Sequence, residues 1–261
     1  MVLKVANVAI GSMKTNGSRL LDWLQVRRPD IATLQKIGSE KDFPAEPLRK
    51  AGYESAFLGR VSGSDLGVAI LSHRDLPKPE ARVRQLSGAG ETESRFLTVD
   101  IGSLRVSSVY APFNPKGEKP AQAIERRVAW LNDLCSHVRD RRYADRDSLL
   151  CGDFNVKVRA DGPLRKNDRW YSEDERGALE ELMCLGFVDL YRKAHPRADD
   201  MPGCTHSYSE TRPDGASRLH LVLASRSLAE RLRSACVDIE SRPWPRKDAP
   251  PIVVELHGAG V

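Results

Sequence analysis

Short runs of apolar residues alternate along the chain with segments whose apolar positions recur every three or four residues, as in strands interleaved with amphipathic helices. Lys4 to Ile10 (KVANVAI) predicts a strand with Asn7 near its exposed end. Ser18 opens a predicted helix from Arg19 to Arg27, striped by Leu20, Leu21, Trp23 and Leu24 and broken by Pro29. Asp30 to Gln35 is the next strand, ending at Lys36. A helix around Ala45 to Ala51 leads into an extended Tyr53 to Phe57, and Arg60 to Asp65 reads as loop. Leu66 to Ser72 (LGVAILS) is nearly all apolar, which predicts a strand buried on both faces. After a polar, proline-bearing excursion, Arg95 to Ile101 and Leu104 to Tyr110 form a hairpin, followed by a rigid loop, Ala111 to Gly117.

A long helix, roughly Pro120 to Arg141, carries Ile124, Val128, Leu131, Leu134 and Val138 at helical spacing. Ser148 to Val156 is a strand, and a basic loop follows it. Ser172 with Glu175 is a capping box for a helix ending near Leu185, with Gly186 at its C′ position. Phe187 to Arg192 predicts a short helix or turn. Strands at Arg218 to Ser225, Ala235 to Ser241 and Pro251 to Leu256, with a short helix at Leu228 to Leu232, complete the chain. Strands, hairpins and interspersed helices in this order predict a mixed α/β sandwich of two sheets flanked by helices. With no linker and no declared repeat, residues 1–261 read as a single domain.

Composition narrows the class. At 261 residues, 40% apolar and 30% charged, the chain can bury a full core and is not a disordered segment. Its longest apolar runs are strand-sized, so no transmembrane helix is expected, and the N-terminus starts a strand pattern without a signal-peptide core. Cys135, Cys151, Cys184, Cys204 and Cys236 are odd in number and hold no Cys-x-x-Cys pair, which suits free thiols in a reducing cytoplasm. A net charge of +5, with arginines grouped at 139–142 and 165–169, suits a polyanion such as nucleic acid. It suits a solvated surface equally well.

The chemistry centres on Gly152-Asp153-Phe154-Asn155 at the end of the strand from Ser148. Residues two apart in a strand face the same way, so Asp153 and Asn155 would converge on one phosphate. The same four residues also fit an Asp-x-Asn turn leaving a strand.

Taken with the other strand ends, this motif resembles the exonuclease III branch, the abasic-site endonucleases, of the endonuclease/exonuclease/phosphatase family, over about Lys4 to Leu256. Its members cut DNA phosphodiesters with magnesium on a four-layer α/β sandwich, two mixed β-sheets packed face to face and flanked by helices. The resemblance implies that Asn7 helps hold the metal and the catalytic acids, that Tyr110 in Val109-Tyr110-Ala111-Pro112 approaches the scissile phosphate, and that Arg95 heads a later strand. It implies that Asp153 activates water and Asn155 orients phosphate. Leu66 to Ser72, Gly186 to Asp189 and Arg218-Leu219 fall in their places, and Asp248-Ala249-Pro250-Pro251-Ile252 stands where the family has Asp-His-Ala-Pro-Val. For the duplex itself the candidates are Arg95, Lys116, Lys157 and the basic loop with Arg165, Lys166, Arg169 and Trp170, which could equally be solvated.

The departures fall on the chemistry. Lys36 stands where the family has the glutamate that is its main magnesium ligand, His220 where it has an aspartate, and Ala249 where it has the catalytic histidine. Ala9 replaces a second asparagine of the first motif. Formal charge over the four acidic positions goes from about −4 to about −1, and a hard dication needs that negative oxygen set. Lys36 is expected to pair with Asp153 in the metal's place and to present donors to a phosphate; at ~4 Å and an effective dielectric of 20 such a pair interacts by ~4 kcal/mol before desolvation. Neutral drift after loss of activity would leave the same residue. His220 is read as satisfied by Asp153 or Asp248, or as a replacement base or transition-metal ligand. His206 lies where the family often has a tryptophan lining the abasic pocket.

The expectation is an exonuclease III-like, monomeric DNA-binding protein, a pseudoenzyme with lost or much reduced magnesium-dependent phosphodiesterase activity. Its partner would be double-stranded DNA, abasic or gapped, and no cofactor is expected. Two other classes stay open: an active exonuclease, abasic-site endonuclease or other phosphodiesterase using magnesium or manganese in an altered site, and a protein-interaction scaffold.

Overall fold

The structure, a computed structural model, describes residues 2–59, 67–83, 86, 94–113, 117–161, 164, 168–197, 217–239 and 250–258. Its elements are β1 (Val2–Ala9), α1 (Met13–Arg27), β2 (Ile31–Gln35), α2 (Ala45–Lys50), β3 (Tyr53–Gly59), β4 (Gly67–His73), β5 (Glu80–Val83), β6 (Phe96–Ile101) and β7 (Leu104–Tyr110). They continue as α3 (Pro120–Asp140), β8 (Ser148–Asp153), α4 (Glu173–Cys184), β9 (Phe187–Asp189), α5 (Leu190–Ala194), β10 (His220–Ser225), α6 (Arg226–Ala229), β11 (Leu232–Val237) and β12 (Ile252–His257).

Among the described residues the strands form two six-stranded sheets, ordered β11-β12-β1-β2-β4-β3 and β5-β6-β7-β8-β10-β9. One pair in each sheet is parallel, β1 with β2 and β7 with β8; the other neighbours run antiparallel. A parallel pair needs a crossover, and the crossovers here are α1 and α3.

The period-two alternation of the central strands sets the layers. Leu3, Val5, Ile31, Val68 and Ile70 of the first sheet meet Leu97, Val99, Val106, Leu149 and Val222 of the second in a shared core. The opposite parity faces outward: Ala6, Val8, Ala32 and Leu34 lie under Leu20, Trp23 and Leu24 of α1. On the other side Val109, Leu150, Leu221 and Leu223 lie under Trp130, Leu131 and Leu134 of α3 and Leu179 and Leu182 of α4. The four-layer sandwich expected from sequence is the fold observed.

Several boundaries differ. Helix α1 begins at Met13 rather than Arg19, because Asn16 Nδ2 donates to Ile10 O (2.7 Å) and Gly17 sits against Pro44, so Asn16-Gly17-Ser18 stays helical. The polar excursion contains β5, an edge strand tied to β6 by Arg82 Nε donating to Asp100 Oδ2 (3.0 Å). Phe187 to Arg192 divides into β9 and α5 at Asp189, whose carboxylate caps Arg192 N (3.2 Å). The helix near Leu228 is α6, ending at Ala229, and β11 starts at Leu232 with an irregularity before Ser234. Among the described residues no helix is long and apolar enough to cross a membrane.

Candidate functional site

At one end of the shared core the inward positions change from apolar to polar. Asn7 on β1, Thr33 and Gln35 on β2, Ser108 and Tyr110 on β7, and Asp153 on β8 follow the same alternation as the apolar residues below them, and all are buried. These are the C-terminal ends of the two parallel pairs, and Lys36 follows Gln35 directly. His220 opens β10, which runs antiparallel to β8 and so stands opposite Asp153. Tyr110 is the partner of Asp153 on the other side. Gly152 permits this approach: a Cβ there would lie 2.0 Å from the Val109 carbonyl oxygen.

Asp153 is 1% exposed, and one of its oxygens carries two partners. Lys36 Nζ lies 2.9 Å and His220 Nε2 3.3 Å from Asp153 Oδ2. Burial pushes the carboxyl up, but the Lys36 ammonium and then His220 outweigh it and hold Asp153 well below the usual carboxylate range. Lys36 has a left-handed backbone (φ +62°) and a side chain 25% exposed, so the ammonium forms the solvent-facing edge of the pair.

Asn155 does not share a strand face with Asp153. Strand β8 ends at Asp153, Asn155 is left-handed (φ +53°), and its N–H donates to Asp153 Oδ1 (3.2 Å). The turn reading of Gly-Asp-x-Asn is the one observed, and the strand predicted to Val156 is shorter because this turn takes its end. Asn155 Nδ2 donates to Ala111 O (2.9 Å), which pins the loop after Tyr110. The Tyr110 ring has Lys36 Nζ at 5.3 Å and Arg95 Cζ at 5.2 Å from its centroid, and Tyr110 N donates to Arg95 O (2.8 Å).

Asn7 ties the two sheets together. Its Nδ2 donates to Gly152 O (3.1 Å), and its Oδ1 accepts from Thr33 Oγ1 (2.9 Å) and Gln35 Nε2 (2.8 Å). Gln35 Nε2 also reaches Ser108 Oγ (3.1 Å), which donates to Leu34 O (3.0 Å), while the buried Gln35 Oε1 has no hydrogen-bond partner among the described residues. Sequence reasoning missed Thr33, Gln35 and Ser108; the available signal was their polar character at inward parity on strands otherwise apolar.

The other named residues lie at varied distances from this centre. Lys157 Nζ pairs with Asp168 and lies over Tyr171, and exposed Arg169 stands 5.9 Å from the Trp170 ring. The carbonyl of Trp170 accepts from Arg127 Nη2 (2.6 Å), whose guanidinium is buried against Glu175. Tyr171, also unforeseen, has its hydroxyl pushed up to about 12, first by burial, against Arg127, and further by the Asp153 carboxylate. Arg218 and Asp189, from two matching motifs, pair with each other (2.7 Å) in the scaffold. Lys116, Arg165, Lys166, His206, Asp248 and Ala249 lie outside the described residues.

The magnesium that the fold family implies does not fit the described residues. No three His, Cys, Asp or Glu side chains gather among them, and the ammonium and imidazole on Asp153 Oδ2 stand where oxygen donors would be needed. The arrangement instead offers a positive, partly exposed edge over a buried anion, with an aromatic ring beside it.

Residues 6–240 match the model of the Endonuclease/Exonuclease/phosphatase family. The chain is 28% identical over 193 residues to Recombination repair protein 1 of Drosophila melanogaster, covering 70% of this chain but 26% of that one. It is 25% identical over 262 residues to Exodeoxyribonuclease III of Haemophilus influenzae, covering 91% of each. The structure of an AP endonuclease from Archaeoglobus fulgidus superimposes with a TM-score of 0.80 at 27% identity, over 98% of this chain and 99% of that one. The same fold occurs in a Neisseria 3′ phosphatase solved with a product DNA hairpin (TM-score 0.81, 24% identity, 97% and 99% covered). The chain belongs to the Endonuclease/Exonuclease/phosphatase family, in its exonuclease III/AP endonuclease branch.

Proposed function

We propose that this protein binds DNA by seating a backbone phosphate at the Lys36 edge of the strand-end site, and that it cleaves DNA little or not at all. One observation carries the reading: Asp153 Oδ2 is shared by Lys36 Nζ at 2.9 Å and His220 Nε2 at 3.3 Å. In-line hydrolysis needs a base for the attacking water and a cationic centre placed on the developing phosphorane charge. A carboxylate held by an ammonium and an imidazole is a poor base. Each lost electrostatic contact of this kind typically costs about 10²- to 10³-fold in rate. An ammonium beside a tyrosine and an arginine remains well suited to a phosphate dianion or diester. The relatives' names, an exodeoxyribonuclease, an AP endonuclease and a recombination repair protein, support DNA as the polyanion.

The experiment pairs equilibrium binding of a duplex with an abasic-site analogue against strand cleavage with magnesium and with manganese. The comparator is the triple variant Lys36→Glu, His220→Asp, Ala249→His. Salt-sensitive binding without cutting by the unaltered chain, with cutting regained by the triple variant, is the expected result. Efficient metal-dependent cutting by the unaltered chain would overturn the reading. The His220–Asp153 contact favours one second reading, in which an imidazole oriented by a carboxylate serves as general base. Cutting in the presence of a chelator, lost in His220→Ala, would establish that instead.

A further inference from the structure

Among the described residues, two large apolar side chains are exposed, Val26 at 72% on α1 and Phe113 at 48%. Phe113 is three residues beyond Tyr110, so its Cα lies within about 11 Å of Tyr110's. Its backbone is firmly held. Ala111 N donates to Asp153 O (2.8 Å), Asn155 Nδ2 donates to Ala111 O (2.9 Å), Pro112 fixes its own φ, and Arg126 Nη2 donates to Phe113 O (2.6 Å). Arg126 is itself anchored on Glu118 (2.9 Å). The main chain is therefore held by these bonds while the phenyl ring is exposed, three residues beyond the Tyr110 whose ring lies beside Lys36.

We infer that Phe113 is a stacking platform for an unpaired nucleobase of the strand whose phosphate sits at Lys36. This rests on the phosphate reading above and adds which form of DNA is bound. Aromatic rings interleaved with cations are the combination that grips single strands: the cations track the backbone and the ring takes a base face. A base offers that face only when it has left its own stack, at a gap, a frayed end or in a single strand. The chain then favours DNA carrying an unstacked nucleotide over intact duplex. A pre-fixed backbone suits this role, because the main chain loses little freedom on contact.

The test uses two single-stranded probes of equal length and charge, an oligothymidylate and an oligomer of abasic tetrahydrofuran units. Phe113→Ala, at an exposed position that leaves the fold intact, is expected to weaken oligothymidylate binding about 5- to 150-fold, the range of one base stack. Binding of the abasic oligomer is expected to stay unchanged. Phe113→Trp is expected to keep the affinity and to lose fluorescence on adding oligothymidylate but not the abasic oligomer. Equal weakening on both probes, or none on either, would overturn the stacking role while leaving the phosphate reading intact. If the unaltered chain binds neither probe, the phosphate reading fails and this inference fails with it.

Discussion

Asp153 illustrates how one buried carboxylate records its neighbours. Its folded-state affinity for protons is depressed by Lys36 and His220 despite the opposing pull of burial. A carboxyl whose folded pKa lies below its unfolded value near ~3.9 contributes stability that is complete above that pH and is lost as pH falls through it. We expect the stability of the unaltered chain to drop below about pH 4 with a slope of up to ~1.4 kcal/mol per pH unit from this group. Asp153→Asn should remove that share of the slope, which urea midpoints measured between pH 3 and pH 6 would reveal; an unchanged acid limb would contradict the pairing. The contacts of Lys36 and His220 with Asp153 were legible in the sequence, because order along the chain placed both residues at strand ends near it. The conformation of Asn155 was not. Period-two alternation cannot say whether a strand runs one residue further or turns, since both keep the same residue types.

At the scale of elements, the Gly152 position explains why the central motif starts with glycine. The parallel pair β7/β8 brings the Val109 carbonyl to within 2.0 Å of where a Cβ would stand. Backbone cannot give way as a flexible side-chain tip can, so Gly152→Ala must separate the two strands locally. A loss of about 2–3 kcal/mol or more is expected from such overpacking, together with weaker DNA binding, because Tyr110 and Asp153 are adjacent in this pair. Gly177→Ala, inside α4 with open space at its Cβ, is the control that should raise stability by about 0.5–1 kcal/mol; equal losses from the two variants would refute the account. Long elements such as α3 and the Ser172–Glu175 capping box of α4 could be read in advance because their signals are local. The start of α1 could not. Asn16-Gly17-Ser18 carries turn chemistry, and contacts such as that of Asn16 with Ile10 O keep it helical.

For the whole molecule, the shared core is the decisive feature. Its residues come alternately from both sheets, so neither sheet can bury its inner face without the other. We expect residues 1–261 to unfold as one unit. Trp23 reports the α1 layer and Trp130 the α3 layer, and each replaced in turn by Phe should leave a fluorescence transition that coincides with far-ultraviolet circular dichroism. Separated midpoints would instead mark two independent units. The sheet order and the pairing of β5 were not legible from sequence, since strand neighbours far apart in the chain leave no periodic trace.

The ion pair at Lys36 also bears on how such a site changes over generations. With glutamate at residue 36 and no cation between, two carboxylates would share one buried pocket, and lysine turns that repulsion into attraction. Exchanging Lys36 alone for an acid would give a form with like charges facing each other and no ion to part them. The Lys36–Asp153 contact thus acts as a latch: an acid at residue 36 is tolerated only if other positions of the pocket change with it.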